Sequence, residues 1–592
     1  MFHTLFRTGI LLLGLLLTPA PVSGAAGGGK NPLPEPPLVA NCEPGIPGGR
    51  LVIATFGDPK TFNPITENES SSSDIIRLLF SSLTDLDWPT QKAKPGLAHS
   101  WQAEPDGKTW TFKLRRGLQW SDGHPLTADD VVFTYNECVY NTNFPNANAD
   151  LLKVDGQIFK VTKVDDLTVR VVTPAPYGPF AEYFGGVAIL PKHKLARTIV
   201  DKSFQSAYGI NTKPEDLVCS GPFKLKQFKG GQLSLLERNP RYFAVDKQGQ
   251  RLPYFDHVIY TVVPDMNAMS LSFLKGESDV HETVRPDEFQ RFKTEAAKGG
   301  FTLQDLGVGP ERGFLWFNLN PGKHPQTGKP FVDAKKLKWF QQTKFRQAVA
   351  HAIDRPSIIK AIYAGRAQVN YGFVSTCHTK WHNPNTPEYP YDLAKAKALL
   401  KEIGIEDRNQ DGLLEDAQGN VIEFTLNTNT GNNTRDRIAV FIQEDLKRLG
   451  CKVNYQPLEF NLMVHKIDET FEYDAMLLGL GGGGSDPAAS MNVLKSDGFT
   501  HFWFPKQSKP ATPWEARIDE LMNLQIQQLD EQKRKELYNE VQVILGREMP
   551  FIYTVSPFSY AAAKSNLGNV VPTVLSTHRL TWNAEELYWK KK

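Results

Sequence analysis

Past its first twenty residues, the sequence has no apolar stretch long enough to cross a bilayer, which takes about 20 residues as a helix. Cysteine is scarce and scattered: Cys42, Cys138, Cys219, Cys377 and Cys451 include no C-x-x-C pair, so a structural zinc site is not expected. Five is an odd number, which leaves at least one thiol outside any disulfide. Charge of either sign is not in excess: 67 Lys and Arg face 65 Asp and Glu, a net +2, which argues against nucleic acid or an anionic membrane surface as partner. Signatures of hydrolytic chemistry are missing too, with no H-E-x-x-H, no G-x-S-x-G and no Cys/His pair in a recognisable setting. There is no repeat of solenoid period.

What is present begins with an export signal. Arg7 precedes the short apolar run Gly9–Leu17, Pro19 breaks it, and Ser23, Gly24, Ala25 and Ala26 offer a cleavage site, so residues 1–26 read as a signal peptide and the mature chain as extracytoplasmic. Cys42 lies too far beyond that run for a lipoprotein cysteine. Residues 27–50 are rich in Gly and Pro and read as an extended tether.

The remainder of the 592 residues exceeds what one hydrophobic core supports, so at least two lobes are expected. Strand-like runs alternate with amphipathic ones, which argues for α/β lobes. LVIATF opens at Leu51, and TWTFKLRRGLQW spans Thr109–Trp120. Gly230–Gly231 joins two alternating strands as a hairpin. Helices are expected over Leu393–Ile403 and Arg435–Leu449, stopped by Gly404 and Gly450. Thr127 followed by Asp130 is a helix-start signal.

KPGLAHSW (Lys94–Trp101), DGKTWTFKLRRGLQWSDGHPLTADDVVFTY (Asp106–Tyr135), CSGPFKLKQF (Cys219–Phe228), LERNPRYF (Leu236–Phe243), LKGESDV (Leu274–Val280), KFRQAVAHAIDR (Lys344–Arg355) and YDLAKAKALLKEIG (Tyr391–Gly404) follow one another in register. Together they resemble the oligopeptide/dipeptide-binding family of ABC-importer solute receptors, family 5 of the extracellular solute-binding proteins. The resemblance implies a two-lobed, class II periplasmic-binding-protein fold with an inserted subdomain. Lobe I would take residues 51–88, 218–313 and 550–592, the insertion 89–217, and lobe II 314–549. Crossing segments near Phe314–Asn320 and Phe551–Val555 would form the hinge. It further implies a monomer without cofactor or catalysis that captures a small peptide, closes around it and hands it to membrane permease subunits.

Site residues follow from the same resemblance. The strand Ala475–Leu480 runs into Gly481, Gly482, Gly483, Gly484, Ser485 and Asp486, where glycine lets a ligand approach the backbone. Peptide-binding members place an aspartate, for the ligand's ammonium group, where this chain has Gly483, and often an aromatic where it has Leu480. Asp486 or Glu67 would then take over that ammonium group, or the ligand would be an oligosaccharide or another uncharged solute. Asn68 and Ser70 match the ligand floor, and Phe144 the aromatic of the insertion. Trp316, Asn318, Tyr371, Phe373, Trp503 and Phe504 are further candidates on lobe II or at the hinge. Asp407, Asn409, Asp411 and Gly412 match the opening of a calcium loop, but its twelfth position is Gln418, and turn chemistry alone explains the pattern.

Overall fold

The computed structural model describes residues 31–144, 146–480 and 486–591, and Leu33–Lys592 forms one compact unit. Its two principal sheets define two lobes. The larger is eight-stranded and runs Phe223–Lys229, Leu233–Arg238, His257–Val262, Arg50–Thr55, Val280–Val284, Val555–Lys564 and Phe301–Val308, with Ala367–Val369 added on Val555–Lys564. Its centre is parallel, Val258 facing Leu51 and Val280 facing Ile53; its flanks are antiparallel. The smaller sheet is five-stranded, in the order Lys452–Leu458, Glu423–Asn429, Ala475–Leu480, Arg312–Phe317, Ile552–Tyr553. A four-stranded antiparallel sheet, Ala98–Ala103, Thr109–Leu114, Thr168–Val172 and Lys160–Asp165, lies in the chain between the large-sheet strands Arg50–Thr55 and Phe223–Lys229.

Local sequence accounts for the element ends. The helix Ala128–Phe133 starts at Thr127, whose backbone N–H donates to Asp130 Oδ2 at 2.9 Å. Gly450, at φ 111°, ends the helix Asn433–Leu449, and Gly404, at φ 78°, follows the helix Leu393–Glu402. Both glycines hold left-handed backbone that a side chain would resist.

Besides the excursion that adds Ala367–Val369 to the large sheet, two short, adjacent links join the sheets. The chain leaves the large sheet at Val308 and enters the small one at Arg312; it leaves the small one at Tyr553 and re-enters the large one at Val555. The crossings are paired, Phe314 with Tyr553 and Leu315 with Ile552. Thr554 N–H donates to Gly313 O at 3.0 Å, and Gly309 N–H to Pro557 O at 2.9 Å. Phe314, Leu315, Ile552 and Tyr553 are all buried, so the two strands form one packed ribbon.

The segment expected to be a tether is docked instead. Leu38–Val39 pairs in parallel with Ala244–Val245, Cys42 is buried, and Gly45 lies against the rings of Tyr254 and Tyr588. Leucine, valine and cysteine among the prolines give it enough apolar surface to bury, which composition alone concealed. The apolar run Gly9–Leu17 lies outside the described residues. Among the described residues no helix is long and apolar enough to cross a membrane.

All five cysteines are free. An excess of dithiothreitol is therefore expected to leave the thermal midpoint of the oxidised, purified protein unchanged. A downward shift in differential scanning calorimetry would reveal a disulfide, since losing one costs about 2–5 kcal/mol.

Candidate ligand cleft

A cavity of about 610 Å³ lies between the two sheets. One wall comes from the loop and helix that follow the strand Arg50–Thr55, bringing Glu67, Asn68, Ser70, Ser73 and Asp74. The other comes from the small-sheet lobe: Arg312, Phe373, His378, Arg435, Leu480 and Asp486 among others.

The first wall is acidic. Burial pushes Glu67 up to about 7, although Ser73 donates to its Oε2 at 2.7 Å. Burial likewise lifts Asp74 to about 7, with His578 Nδ1 at 3.5 Å. Asp468 crosses from the other lobe, accepting from Asn68 Nδ2 at 2.7 Å, and burial raises it to about 6. Arg77 near Asp74 and Lys60 near Asp468 oppose the rise without cancelling it, because desolvation penalises the charged form.

The second wall carries the opposite charge. Arg312 and Arg435 both line the cavity, and no carboxylate among the described residues forms an ion pair with either. Arg312 lies in the strand next to Gly479, donates Nη1–H to Phe373 O at 2.5 Å and stacks its guanidinium 4.4 Å over the Phe373 ring. Arg435 follows the N-cap Asn432, donates to Asn429 Oδ1, and brings Nη2 within 3.5 Å of where a Gly479 side chain would begin. Burial lowers both arginines, Arg435 to about 10. Arg312 Nε, His378 Nδ1 and Asn492 Oδ1, all in lining residues, have no hydrogen-bond partner among the described residues.

The residues singled out by sequence divide into two sets. Asn68, Ser70, Leu480 and Asp486 line the cavity, as does Phe373. Asp486 is not available to a ligand ammonium group, because its carboxylate is held bidentately by Arg534, Oδ2 to Nη1 at 2.7 Å and Oδ1 to Nη2 at 2.5 Å. Gly481, Gly482, Gly483 and Ser485 lie outside the described residues.

The others serve packing, and the expectation that they line the site is corrected. Phe144 is buried on Phe204, centroids 4.7 Å apart. Asn318 is fully buried and donates to Phe471 O at 2.8 Å and Tyr473 O at 3.2 Å. Trp503 is fully buried, its indole N–H donated to Glu515 Oε1 at 3.0 Å. Tyr371 sits outside the lining under the Arg355 guanidinium, 5.1 Å from its ring centroid. In each case a core partner took the polar or aromatic group, which residue type alone does not reveal.

Sequence reasoning passed over Arg312 and Arg435. The one available signal was an arginine opening an otherwise apolar strand, RGFLWF. In the Asp407–Asp416 turn, Asp407 Oδ2 accepts from Gly412 N–H at 3.0 Å, Asp411 Oδ1 from Leu413 N–H at 2.8 Å and Glu415 Oε2 from Arg408 N–H at 3.0 Å. These carboxylates hold the turn itself.

Residues 92–501 match the family described as bacterial extracellular solute-binding proteins, family 5, middle region. The chain belongs to that family. A probable ABC transporter-binding protein of Deinococcus radiodurans is 29% identical over 525 residues, covering 85% of this chain and 86% of its own. The oligopeptide-binding protein AppA of Bacillus subtilis is 28% identical over 573 residues, 95% of each chain. The solved structure of AppA with a nonapeptide superposes with a TM-score of 0.79, covering 93% of this chain and all of that one, at 28% identity. The stachyose complex of MelB from Agrobacterium fabrum gives a TM-score of 0.83 over 95% of this chain and 89% of that one. At 22% identity, that likeness speaks to the fold alone. The family thus places the cavity between two lobes of a solute-binding protein.

Proposed function

We propose that this chain is the extracytoplasmic receptor of an ABC importer. It captures a small peptide with both termini free, closes its lobes around it, and presents the closed form to membrane permease subunits, acting as a non-catalytic monomer. The observation that carries the peptide reading is the bipolar cleft: half-buried carboxyls raised by desolvation on one wall, and on the other half-buried guanidiniums with no carboxylate partner among the described residues. A zwitterion supplies a partner to each wall at once, and only when the walls meet, which is what a closing device requires. The paired crossings at Phe314–Tyr553 and Leu315–Ile552 are where bending would concentrate. An uncharged oligosaccharide would leave both arginines without a carboxylate partner. Relatives named as peptide-binding, AppA and the dipeptide-binding protein of Escherichia coli, support the same reading.

The direct test is to purify the full chain, incubate it with peptide and oligosaccharide libraries, and identify what is retained by mass spectrometry. Retained peptides are expected; retained glycans alone would overturn the peptide reading.

Binding should also depend on pH. Glu67 and Asp74 are largely protonated in the free protein at pH 6, and a ligand ammonium group stabilises their charged forms. Binding is therefore expected to release protons and to strengthen as pH rises from about 5 to 7, below the range in which the ligand's own α-amino group loses its proton. Calorimetry at pH 6.5 in buffers of different ionisation enthalpy should show that release, reduced in Glu67→Gln. In the unliganded chain the same shifts act on folding with the opposite benefit. The folded form binds more protons than the unfolded between about pH 4 and 7, so this contribution to stability is complete below that window and is lost as pH rises through it.

A further inference from the structure

The chain between the large-sheet strands Arg50–Thr55 and Phe223–Lys229 carries a cluster that the cleft does not use. Asp122 Oδ2 lies 3.1 Å from His124 Nδ1 and 2.8 Å from His193 Nε2. The three donor atoms all fall within 4.8 Å of one another. The two imidazoles are stacked with centroids 4.1 Å apart and planes 16° from parallel, so both present a nitrogen to the same carboxylate oxygen. We propose that Asp122, His124 and His193 bind a divalent transition-metal ion of the Zn²⁺ class, at a site separate from the ligand cleft.

The geometry is what such an ion requires. Donors at about 2.0–2.1 Å around a tetrahedral zinc are about 3.3 Å from each other. The two nitrogen–oxygen separations are already near that edge length, so an ion can replace the hydrogen bonds with shifts of a few tenths of an ångström. Each imidazole would keep its proton, moved through solvent from the coordinating nitrogen to the other one, so no net charge change is needed. Two imidazoles and one carboxylate suit Zn²⁺, Ni²⁺ or Cu²⁺ and offer little to Mg²⁺ or Ca²⁺, which want more oxygens.

The scaffold is ordered by contacts of its own. Gly123 N–H donates to Trp120 O and Trp120 N–H to His124 O, both at 2.9 Å, closing the turn that holds Asp122 and His124. His193 sits in the first turn of the helix Lys192–Val200, whose start is fixed by Lys192 N–H donating to Asp130 Oδ1 at 2.9 Å. The metal would thereby clamp two segments 71 positions apart. The His124 side chain is 60% exposed, which leaves coordination positions open to water or to a donor from another molecule. One group opposes the ion: Arg241, which donates to Ser121 O at 3.3 Å and packs against Gly123. Its charge weakens the site relative to closed structural zinc sites.

The test uses the full chain, stripped with chelator and titrated with ZnCl₂ by calorimetry, with MgCl₂ and CaCl₂ as separate arms. One Zn²⁺ per chain is expected, with no response to either alkaline-earth ion. His193→Ala and His124→Ala should each weaken zinc by at least about tenfold, while leaving the metal-free thermal midpoint and the retention of cleft ligand unchanged. Co²⁺ loading should give a visible absorption band that both variants lose. Absence of stoichiometric Zn²⁺ binding would overturn the proposal, and so would equal affinity in the wild type and both variants.

Discussion

Arg435→Met is expected to weaken binding of a free-carboxylate peptide by about 2–5 kcal/mol, roughly 30- to 5,000-fold in Kd. The unliganded protein should be no less stable than before. The opposite signs follow from one fact. Without ligand, Arg435 is a half-buried guanidinium with no carboxylate partner among the described residues, its donors met only in part by Asn429. Its desolvation already costs the free fold, so a methionine of similar length removes a penalty rather than a bond. With ligand, removing it leaves a carboxylate buried without a partner. A C-terminally amidated peptide should discriminate little between the two proteins. Isothermal titration of both peptides, with thermal unfolding of both apo proteins, reads all four corners. A large loss of apo stability would mean that Arg435 is structural.

Asp486→Asn is expected to behave in the reverse way, destabilising the fold by about 3–5 kcal/mol with little effect on ligand selectivity among correctly folded molecules. The pair Asp486–Arg534 has side chains only 11% and 8% exposed, and Arg534 has no other carboxylate partner among the described residues. Asp486 also accepts Ala488 N–H at 2.9 Å at the start of a short helical turn, while its carbonyl receives the Tyr183 hydroxyl at 3.3 Å. Breaking the pair leaves a buried guanidinium whose remaining contacts are Gln525 O, Gln525 Oε1 and the Trp381 ring. The double variant Asp486→Leu with Arg534→Met should regain most of the loss, because replacing both charges avoids the orphan. Thermal unfolding of the three variants measures it. A near-neutral Asp486→Asn would show that water relieves the site.

These two residues also show how far sequence reading reaches. Element ends such as Gly404, Gly450 and Thr127 are local events, set by backbone conformation and a side chain three positions away, and they were legible. Phe314–Asn320 was legible as a buried strand because FLWF is apolar without interruption, whereas its crossing between lobes, with Phe551–Val555, followed only from the family resemblance. What was not legible depends on absence after folding. That Arg312 and Arg435 lack a carboxylate is decided by residues far away in the chain, as is the capture of Asp486 by Arg534. Trp503 and Asn318 show the converse: residue types suited to a ligand were satisfied by Glu515, Phe471 and Tyr473 in the core. His124 and His193 met only because a turn and a helix distant in the chain pack together.

Calorimetric titration of one peptide in four forms, with free, acetylated, amidated and doubly capped termini, probes the bipolar cleft most directly. Blocking the amine should abolish the proton release and weaken binding, blocking the carboxylate should weaken binding through Arg312 and Arg435, and the doubly capped form should bind weakest of all. Equal affinity for all four would contradict capture of a zwitterion between oppositely charged walls.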